Sequence, residues 1–476
     1  MRIDSRIKWL AFALILFVFA KSWEPGVGLD TATYGAIARD ILQNGSWFNP
    51  KLAPGIFDPF VEHPYLVLWL DALSLKVWGA NAFGIHFTSS VLGIIGVLAF
   101  FAAIRRLVDE NTALISTILL LTINVFMNFM SSGWLDMPMV AFILVGFYFS
   151  SRISNSSDIG SALLSGFFLS FAILTKGAAA IGVLPVLLFA GTRLNWRPKP
   201  LLTLSVGILT PLIAFTIAHY HSQGFVFWER YFYRQFIVQN DAREASYDPV
   251  GWIWYIRDTI NHAHLVALLF IPGLVLLWKK QYRSVAAIAT LQFLIHLAVY
   301  AFSNRHNRQY LLPIFPWLAL GAGYLVSLRW KLSAEKWTKG LLGLSAIYFM
   351  AVTVLPITVH SMGGPEIHAF KETIKNLPIE RIYFQANEIE RLSGEATSSY
   401  IAWYWQKTPV MFTPEELPKI VASIRNGEAV FIIHNEDNKH FLTHTESVCA
   451  WNDPWILYST KETCTQMKPK NLVNND

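Results

Sequence analysis

The sequence predicts a polytopic α-helical membrane protein of about eleven transmembrane helices, followed by a small C-terminal α/β domain. Three observations carry this. Of 476 residues, 54% are hydrophobic and 15% are charged, and the mean hydropathy is +0.39. Soluble domains carry nearer a quarter charged residues. Several apolar runs approach or exceed the roughly 20 residues that a helix needs to cross a bilayer. The apolar character stops near residue 361, at the turn-rich "SMGGPE".

Taken in order, the expected spans are 8–22, 84–104, 112–129, 134–151, 159–175, 177–191, 201–220, 262–278, 284–302, 310–328 and 339–360. The basic "MRIDSRIKW" followed by "LAFALILFVFA" has no small-residue cleavage site after it, so it reads as a retained first span with its basic end in the cytoplasm. With the N-terminus inside, alternate loops carry Arg105 and Arg106, then Arg152, then Arg193, Arg197 and Lys199, then Lys279, Lys280 and Arg283, then Arg329, Lys331, Lys336 and Lys339. That is a positive-inside pattern, and an odd number of spans places the C-terminus outside. The net charge of +6 therefore reports topology, and no nucleic-acid partner is implied. The expected division is a transmembrane domain over 1–361, with outer-face juxtamembrane helices in 23–83, and an extracytoplasmic α/β domain over 362–476. In that domain β-type runs ("RIYF", "AVFII", "WILYS") alternate with helical stretches ("AFKETIKNL", "PEELPKIVASIRN").

The first outer loop opens with "GLDTATYGAIARDILQNGSW". Tyr34, Ile37, Ala38 and Ile41 fall on one face of a helix, and Asp30 stands where an N-cap would stand. Asp30 then has a structural role at a helix start, a chemical role, or both. The next stretch, "FDPFVEHPYLVLWLDALSLKVWG", is interrupted by Glu62, His63 and Asp71. Each charge at the membrane centre costs about 3 kcal/mol, so this segment is expected to lie in the interface, with Trp69 and Trp78 at headgroup depth.

Other ionisable residues stand out by position. Asp136, in "SSGWLDMPMV", begins the fourth span, where the plain alternative is a helix-start residue near water. Lys176, in "ILTKGAAAIG", lies between two apolar runs on the outer side; an intramembrane ionisable residue is a functional candidate, against the alternative of snorkelling to the headgroups. Arg230 and Arg234 in "FWERYFYRQF", and Arg305, His306 and Arg308 in "FSNRHNRQYLLP", collect cations outside against the usual bias. An anion there, such as a lipid phosphate, is the functional reading; contact with anionic headgroups is the alternative. The two cysteines, Cys449 and Cys464, read as unpaired thiols or, with the C-terminus outside, as a disulfide contributing on the order of 3 kcal/mol. No CxxC, HExxH, Walker or Rossmann glycine motif occurs.

The order of motifs resembles the C-type (GT-C) glycosyltransferases that use polyprenyl-phosphate sugars, nearest the lipid A aminoarabinose transferases and the protein O-mannosyltransferases. The matching pieces are "LDTATYGAIARDILQNGSW", "VEHPYLVLWLDALSLKVWG", "LDMPMVAF", "LTKGAAA" and "YLLPIFPWLALGAGYL", spread in order over residues 1–330. The resemblance implies sugar transfer from a polyprenyl-phosphate donor to a lipid A-like lipid or a protein, at the periplasmic face of a bacterial inner membrane. It implies catalytic roles for Asp30 and Asp136. It implies substrate contacts from Tyr34, Glu62, His63, Lys176, Arg230, Arg234, Arg305, His306, Arg308 and Tyr310. No cofactor is implied with certainty; a divalent metal is compatible with two acids but not demanded by any ligand spacing. Three replacements bear on substrate: Thr31 replaces the usual second acid, Thr33 the arginine that often follows, and His63 the lysine of the "EKPP" motif; in addition, the Glu-His pair often seen in the long later loop is absent from "YFYRQFIVQN". Competing readings are a flippase for a lipid-linked sugar, an oligosaccharide ligase, and a scaffold that binds through the α/β domain. Common to all the enzyme readings is one expectation: acids and cations distant in sequence converge at the non-cytoplasmic surface.

Overall fold

The computed structural model describes residues 5–23, 26–153, 158–238, 251–301, 307–330, scattered positions between 336 and 351, 374–375, 379–385, 394–433, 448–452 and 455–467. The chain divides into two compact units. One comprises residues 1–24, 61–70 and 77–357; the other comprises 25–60, 71–76 and 358–476. One division between the units falls between residues 357 and 358, and the opening juxtamembrane helix falls with the C-terminal residues rather than with the spans.

The helices of the first half are α1 (Ser5–Ser22), α2 (Leu29–Asn44), α3 (Leu66–Trp78), α4 (Ala82–Leu107), α5 (Glu110–Thr122), α6 (Asn124–Met130), α7 (Asp136–Arg152), α8 (Ile159–Lys176) and α9 (Val183–Arg193). Then come α10 (Pro198–Gln223), α11 (Val226–Phe232), α12 (Gly251–Ala263), α13 (Leu265–Lys279), α14 (Arg283–Ala301) and α15 (Phe315–Ser327). A 3-10 turn, Gly177–Gly182, joins α8 to α9, and another, Arg308–Ile314, leads into α15.

Starts and stops follow side-chain chemistry. Asn81 accepts from the Gly84 N–H at 2.9 Å to cap α4, and Asp109 accepts from the Thr112 N–H at 2.8 Å to cap α5. Pro198 and Pro200 open α10, where a missing N–H costs nothing. Arginines close the helices at one end of the bundle. Arg106 Nε donates to the Ser151 carbonyl and Arg193 Nε to the Ile153 carbonyl, both at 3.0 Å, supplying the orphan acceptors of α7's last turn.

By length and composition, four stretches among the described residues suffice to cross a membrane: Ala82–Leu107, Ile159–Arg193, Pro198–Gln223 and Arg308–Ser327. Two bent pairs, Glu110–Thr122 with Asn124–Met130 at 81° and Trp252–Ala263 with Leu265–Lys279 at 107°, raise that to six. The eleven expected spans rest partly on helices shorter than this measure admits, such as Ala11–Ser22 and Arg283–Val299, and 339–360 lies largely outside the described residues. The 35-residue stretch Ile159–Arg193 is itself two antiparallel arms. Ala162 near the start of α8 and Ala190 and Leu194 at the end of α9 share one apolar cluster with Ile153, so the chain doubles back at 177–182. The separate spans expected at 159–175 and 177–191 are these two arms.

Packing in this unit is close. Phe147 of α7, fully buried, sits 5.4 Å from Phe189 of α9 and 4.9 Å from Trp317 of α15 (ring centroids). Helices α8 and α10 cross backbone to backbone at Gly166 and Gly207: a Cβ on either would lie 2.3 Å from a carbonyl oxygen of the other helix. The lipid-type face of α10, with Leu202, Val206, Leu209, Ile213 and Ile217 exposed, points away from this crossing.

The second unit carries a five-stranded sheet in the order β2-β1-β3-β5-β4. Its elements are β1 (Arg381–Gln385), α16 (Gly394–Tyr400), a π-helical turn (Ile401–Trp405), β2 (Thr408–Phe412), α17 (Leu417–Arg425), β3 (Ala429–Ile433), β4 (Val448–Asn452), β5 (Trp455–Tyr458) and α18 (Lys461–Met467). β1 is parallel to β2 and β3, and β5 runs antiparallel to β3 and β4. Ile420 and Ile424 of α17 pack on Phe412, Val430 and Tyr458. Cys464 on α18 is disulfide-bonded; the other cysteine of the chain, Cys449, has its side chain outside the described residues.

Gly207→Val is expected to separate α8 from α10 and to cost about 1–3 kcal/mol. A lowered unfolding midpoint in detergent checks it; an unchanged midpoint would contradict the backbone crossing.

Candidate active site

Asp136 is the first residue of α7 and Lys176 the last of α8. Because the two helices run antiparallel, these ends meet. Lys176 Nζ lies 2.5 Å from Asp136 Oδ1, with the two side chains 6% and 2% exposed. Each charge also sits at the helix end whose dipole favours it, the carboxylate at an N-terminus and the ammonium at a C-terminus. The turn before Asp136 is held from α4: the Gly133 N–H donates to Ser89 Oγ at 3.0 Å, and Ser89 Oγ donates to the His86 carbonyl at 3.0 Å. On its other side, the Lys176 ammonium lies 5.4 Å from the centroid of the Tyr310 ring, a cation–π distance.

The break after Lys176 is built for this. Gly177 adopts φ 57° and ψ −125°, and a Cβ there would lie 1.9 Å from the Tyr231 hydroxyl. That hydroxyl accepts from the Ala178 N–H at 2.7 Å. At the far end of the turn, Gln292 Nε2 of α14 donates to the Gly182 carbonyl at 2.7 Å. Both ends of the 3-10 segment are thus tied by side chains from other helices, and Lys176 is aimed by them.

A second ion pair stands beside the first. Arg234, just beyond α11, pairs with Glu62 at 2.6 Å, and Gln235 donates to the Glu62 carbonyl at 3.0 Å. His63 lies within the field of both cations: burial first, then the charges of Lys176 and Arg234, hold its imidazolium well below the usual histidine range. The imidazole is therefore neutral near pH 7.

Of the residues expected from sequence, the first unit brings together Glu62, His63, Asp136, Lys176, Arg234 and Tyr310. Arg230 and Arg308 are exposed; Arg305 and His306 lie outside the described residues. Asp30 and Tyr34 belong to the second unit. Asp30 is partly exposed in the first turn of α2, whose N-cap is Gly28, so the expectation that Asp30 is the cap is corrected: the helix starts before it. Tyr34 is buried, its ring 6.4 Å from Phe60, as a core residue would be. Among the described residues no three His, Cys, Asp or Glu side chains gather to hold a metal ion. Sequence reasoning missed Tyr231 and Gln292. Tyr231 stands in an aromatic run and Gln292 inside an apolar helix; of the two, only the buried amide carries a sequence signal, as a polar residue within a span.

The chain is similar to named sugar transferases in sequence and to solved structures in fold. Residues 62–219 match the family described as dolichyl-phosphate-mannose-protein mannosyltransferase. An undecaprenyl phosphate-alpha-4-amino-4-deoxy-L-arabinose arabinosyl transferase of Pseudomonas fluorescens (strain Pf0-1) is 26% identical over 349 residues, which cover 68% of this chain and 58% of that protein. The chain thus matches less than two thirds of that relative's length. The crystal structure of ArnT from Cupriavidus metallidurans in the apo state superposes with a TM-score of 0.71 at 16% identity, covering 98% of this chain and 99% of the other. The same protein bound to undecaprenyl phosphate gives 0.70 at 16% identity, covering 95% and 97%. At such identity the likeness is one of fold.

Lys176→Met leaves a buried carboxylate without its cation and is expected to destabilise the fold by about 3–5 kcal/mol. Adding Asp136→Asn should recover more than half of this in thermal unfolding; additive losses would contradict the pairing. For His63 the sign follows from its depressed folded-state pKa. Below about pH 6.5 the unfolded chain binds a proton that the folded chain refuses, so stability falls as pH drops through that value. His63→Gln should flatten this part of the stability–pH curve between pH 7.5 and 5.5.

Proposed function

We propose that the protein is an integral-membrane glycosyltransferase that moves a sugar from a polyprenyl-phosphate donor to a lipid acceptor of the lipid A kind, on the periplasmic face of a bacterial inner membrane. The observation that carries the reading is the Lys176–Asp136 pair against Tyr310, with His63 and the Arg234–Glu62 pair beside it. An ammonium, a guanidinium and a phenol ring at one end of a membrane bundle fit a phosphate anion. The relatives named for undecaprenyl-phosphate aminoarabinose transfer support the same donor class.

In the reaction the bond between the anomeric carbon and the donor phosphate oxygen breaks, and its electron pair goes to the phosphate. That leaving group is a stable anion and needs little protonation. It needs positive charge where negative charge develops, which Lys176 and Arg234 supply. The acceptor oxygen attacks the anomeric carbon from the opposite side, inverting it. A hydroxyl acceptor gives its proton to Asp30, the general base in this reading. Asp136 holds the Lys176 ammonium in place rather than acting on the sugar, since its carboxylate is already engaged. The N-terminus is cytoplasmic and the second unit periplasmic. This orientation rests on the arginines at helix ends, Arg106, Arg152 and Arg193, which stand at the opposite pole of the α7–α9 bundle from Lys176.

Mass spectrometry of envelope lipids and proteins tests the proposal in cells carrying the wild type, Asp30→Asn or Lys176→Gln. A glycosylated lipid present with the wild type and reduced at least tenfold with either variant, at equal protein abundance, is expected. A glycosylated protein that depends on the same residues would replace the acceptor. Unchanged profiles would overturn the enzyme reading.

A further inference from the structure

The second unit supports Asp30 in an unusual way. Asp30 is partly exposed, yet the backbone on both sides of it is fixed by side chains from more than 360 residues downstream. Three residues before it, the Val27 N–H donates to Tyr404 Oη at 2.9 Å, and that hydroxyl donates back to the Val27 carbonyl at 3.4 Å. Three residues after it, Thr33 Oγ1 shares a hydrogen bond of 2.7 Å with Ser399 Oγ and also donates to the Leu29 carbonyl at 3.1 Å. Tyr404, Thr33 and Ser399 are all buried.

The π-helical turn explains the fit. Its i→i+5 spacing leaves carbonyls without the usual helical partner, and Arg39, one turn and a half further along α2, reaches the Ala402 carbonyl and, at 3.5 Å, that of Trp403. Between these ties the Trp403 ring lies flat against Gly35, where a Cβ would come within 2.5 Å of the ring. Burial first, and then the field of the Asp30 carboxylate, raise the pKa of the Tyr400 phenol, next to Ser399. A solvent-reachable carboxylate on a backbone pinned at −3 and +3 is an arrangement that fixes a reacting group without covering it.

We propose that residues 398–405 of the C-terminal unit form a positioning clasp for Asp30, with Tyr404 and the Ser399–Thr33 hydroxyl pair as its positioning residues. The C-terminal unit is then part of the transfer machinery and not only an appended domain. The proposal rests on the assignment of Asp30 as the base.

Two measurements on the full-length protein separate the two ideas. One is the amount of the glycosylated envelope product in cells. The other is amide hydrogen exchange of residues 26–34 in the detergent-purified chain. Tyr404→Phe and Thr33→Val remove one hydroxyl each at nearly constant volume; Thr33→Ser keeps it. Tyr404→Phe and Thr33→Val are expected to lower product at least fivefold and to speed exchange over 26–34 at least fivefold, with exchange in α7 unchanged. Thr33→Ser is expected to stay within twofold of wild type in both. Should Tyr404→Phe not fold, the Thr33 pair carries the test. Full product, unchanged exchange at 26–34, or faster exchange throughout the chain would each overturn the clasp. Full product from Asp30→Asn would overturn the base assignment and the proposal with it, whatever the exchange data.

Discussion

A lysine and an aspartate, both almost without solvent, meet where α8 ends and α7 begins, and the geometry of the bundle is arranged around that contact. Taking each ion out of water costs several kcal/mol, and mutual attraction offsets this only with good geometry and further support. The support is visible: two favourable helix ends, the Tyr310 ring, and a turn before Asp136 that α4 holds through Ser89. An apolar pair would fill the same space at lower cost in desolvation, so stability alone does not account for the charges. On the proposed function they form a poised cation whose counter-ion keeps it ordered until an anionic ligand arrives.

That contact also imposes the shape of the chain after it. Lys176 can face Asp136 only if α8 stops there, and stopping a helix inside an apolar unit exposes backbone groups that must be paired. Gly177 supplies the left-handed turn, the Tyr231 hydroxyl takes the Ala178 N–H, and Gln292 takes the Gly182 carbonyl. Side chains from two other helices therefore serve one break. Tyr231 lies one turn before Arg234, whose partner is Glu62, so the short α11 bears on both ion pairs.

Much of this could be read from residues, and the rest could not for definite reasons. Lys176 and Asp136 announced themselves because a charge inside an apolar run is costly and so rarely accidental. The buried face of α2, with Ile37, Ala38 and Ile41 inaccessible, followed from helical period. Period says that a face is covered and not by what, so its partner, Trp403 and its neighbours, was invisible. Asp30 was misplaced as a cap because Gly28 is an equally good start and local sequence does not choose between them. Two spans meeting at Lys176 were expected over 159–175 and 177–191 from their apolar runs, while the number of true spans depends on helix length, which hydropathy reads poorly at kinks. Tyr231 had no signature among the aromatic residues around it.

The three replacements in the glycosyltransferase pattern become intelligible by location. Thr31 and Thr33, where that pattern has an acid and an arginine, both point into the second unit: Thr31 is fully buried and Thr33 is taken up by Ser399. Threonine at position 33 keeps the hydroxyl pairing with Ser399, and Asp30, partly exposed, remains the carboxylate of that turn. His63 is different, for it stands among Lys176 and Arg234. A lysine there would add a third permanent positive charge with one carboxylate already committed to each neighbour. A neutral imidazole relieves that repulsion and still offers an N–H, which makes the cation site weaker toward a bare anion and more dependent on ligand geometry. On the proposed function, the choice of sugar or acceptor is expected to be set at position 63 rather than at the Lys176–Asp136 pair.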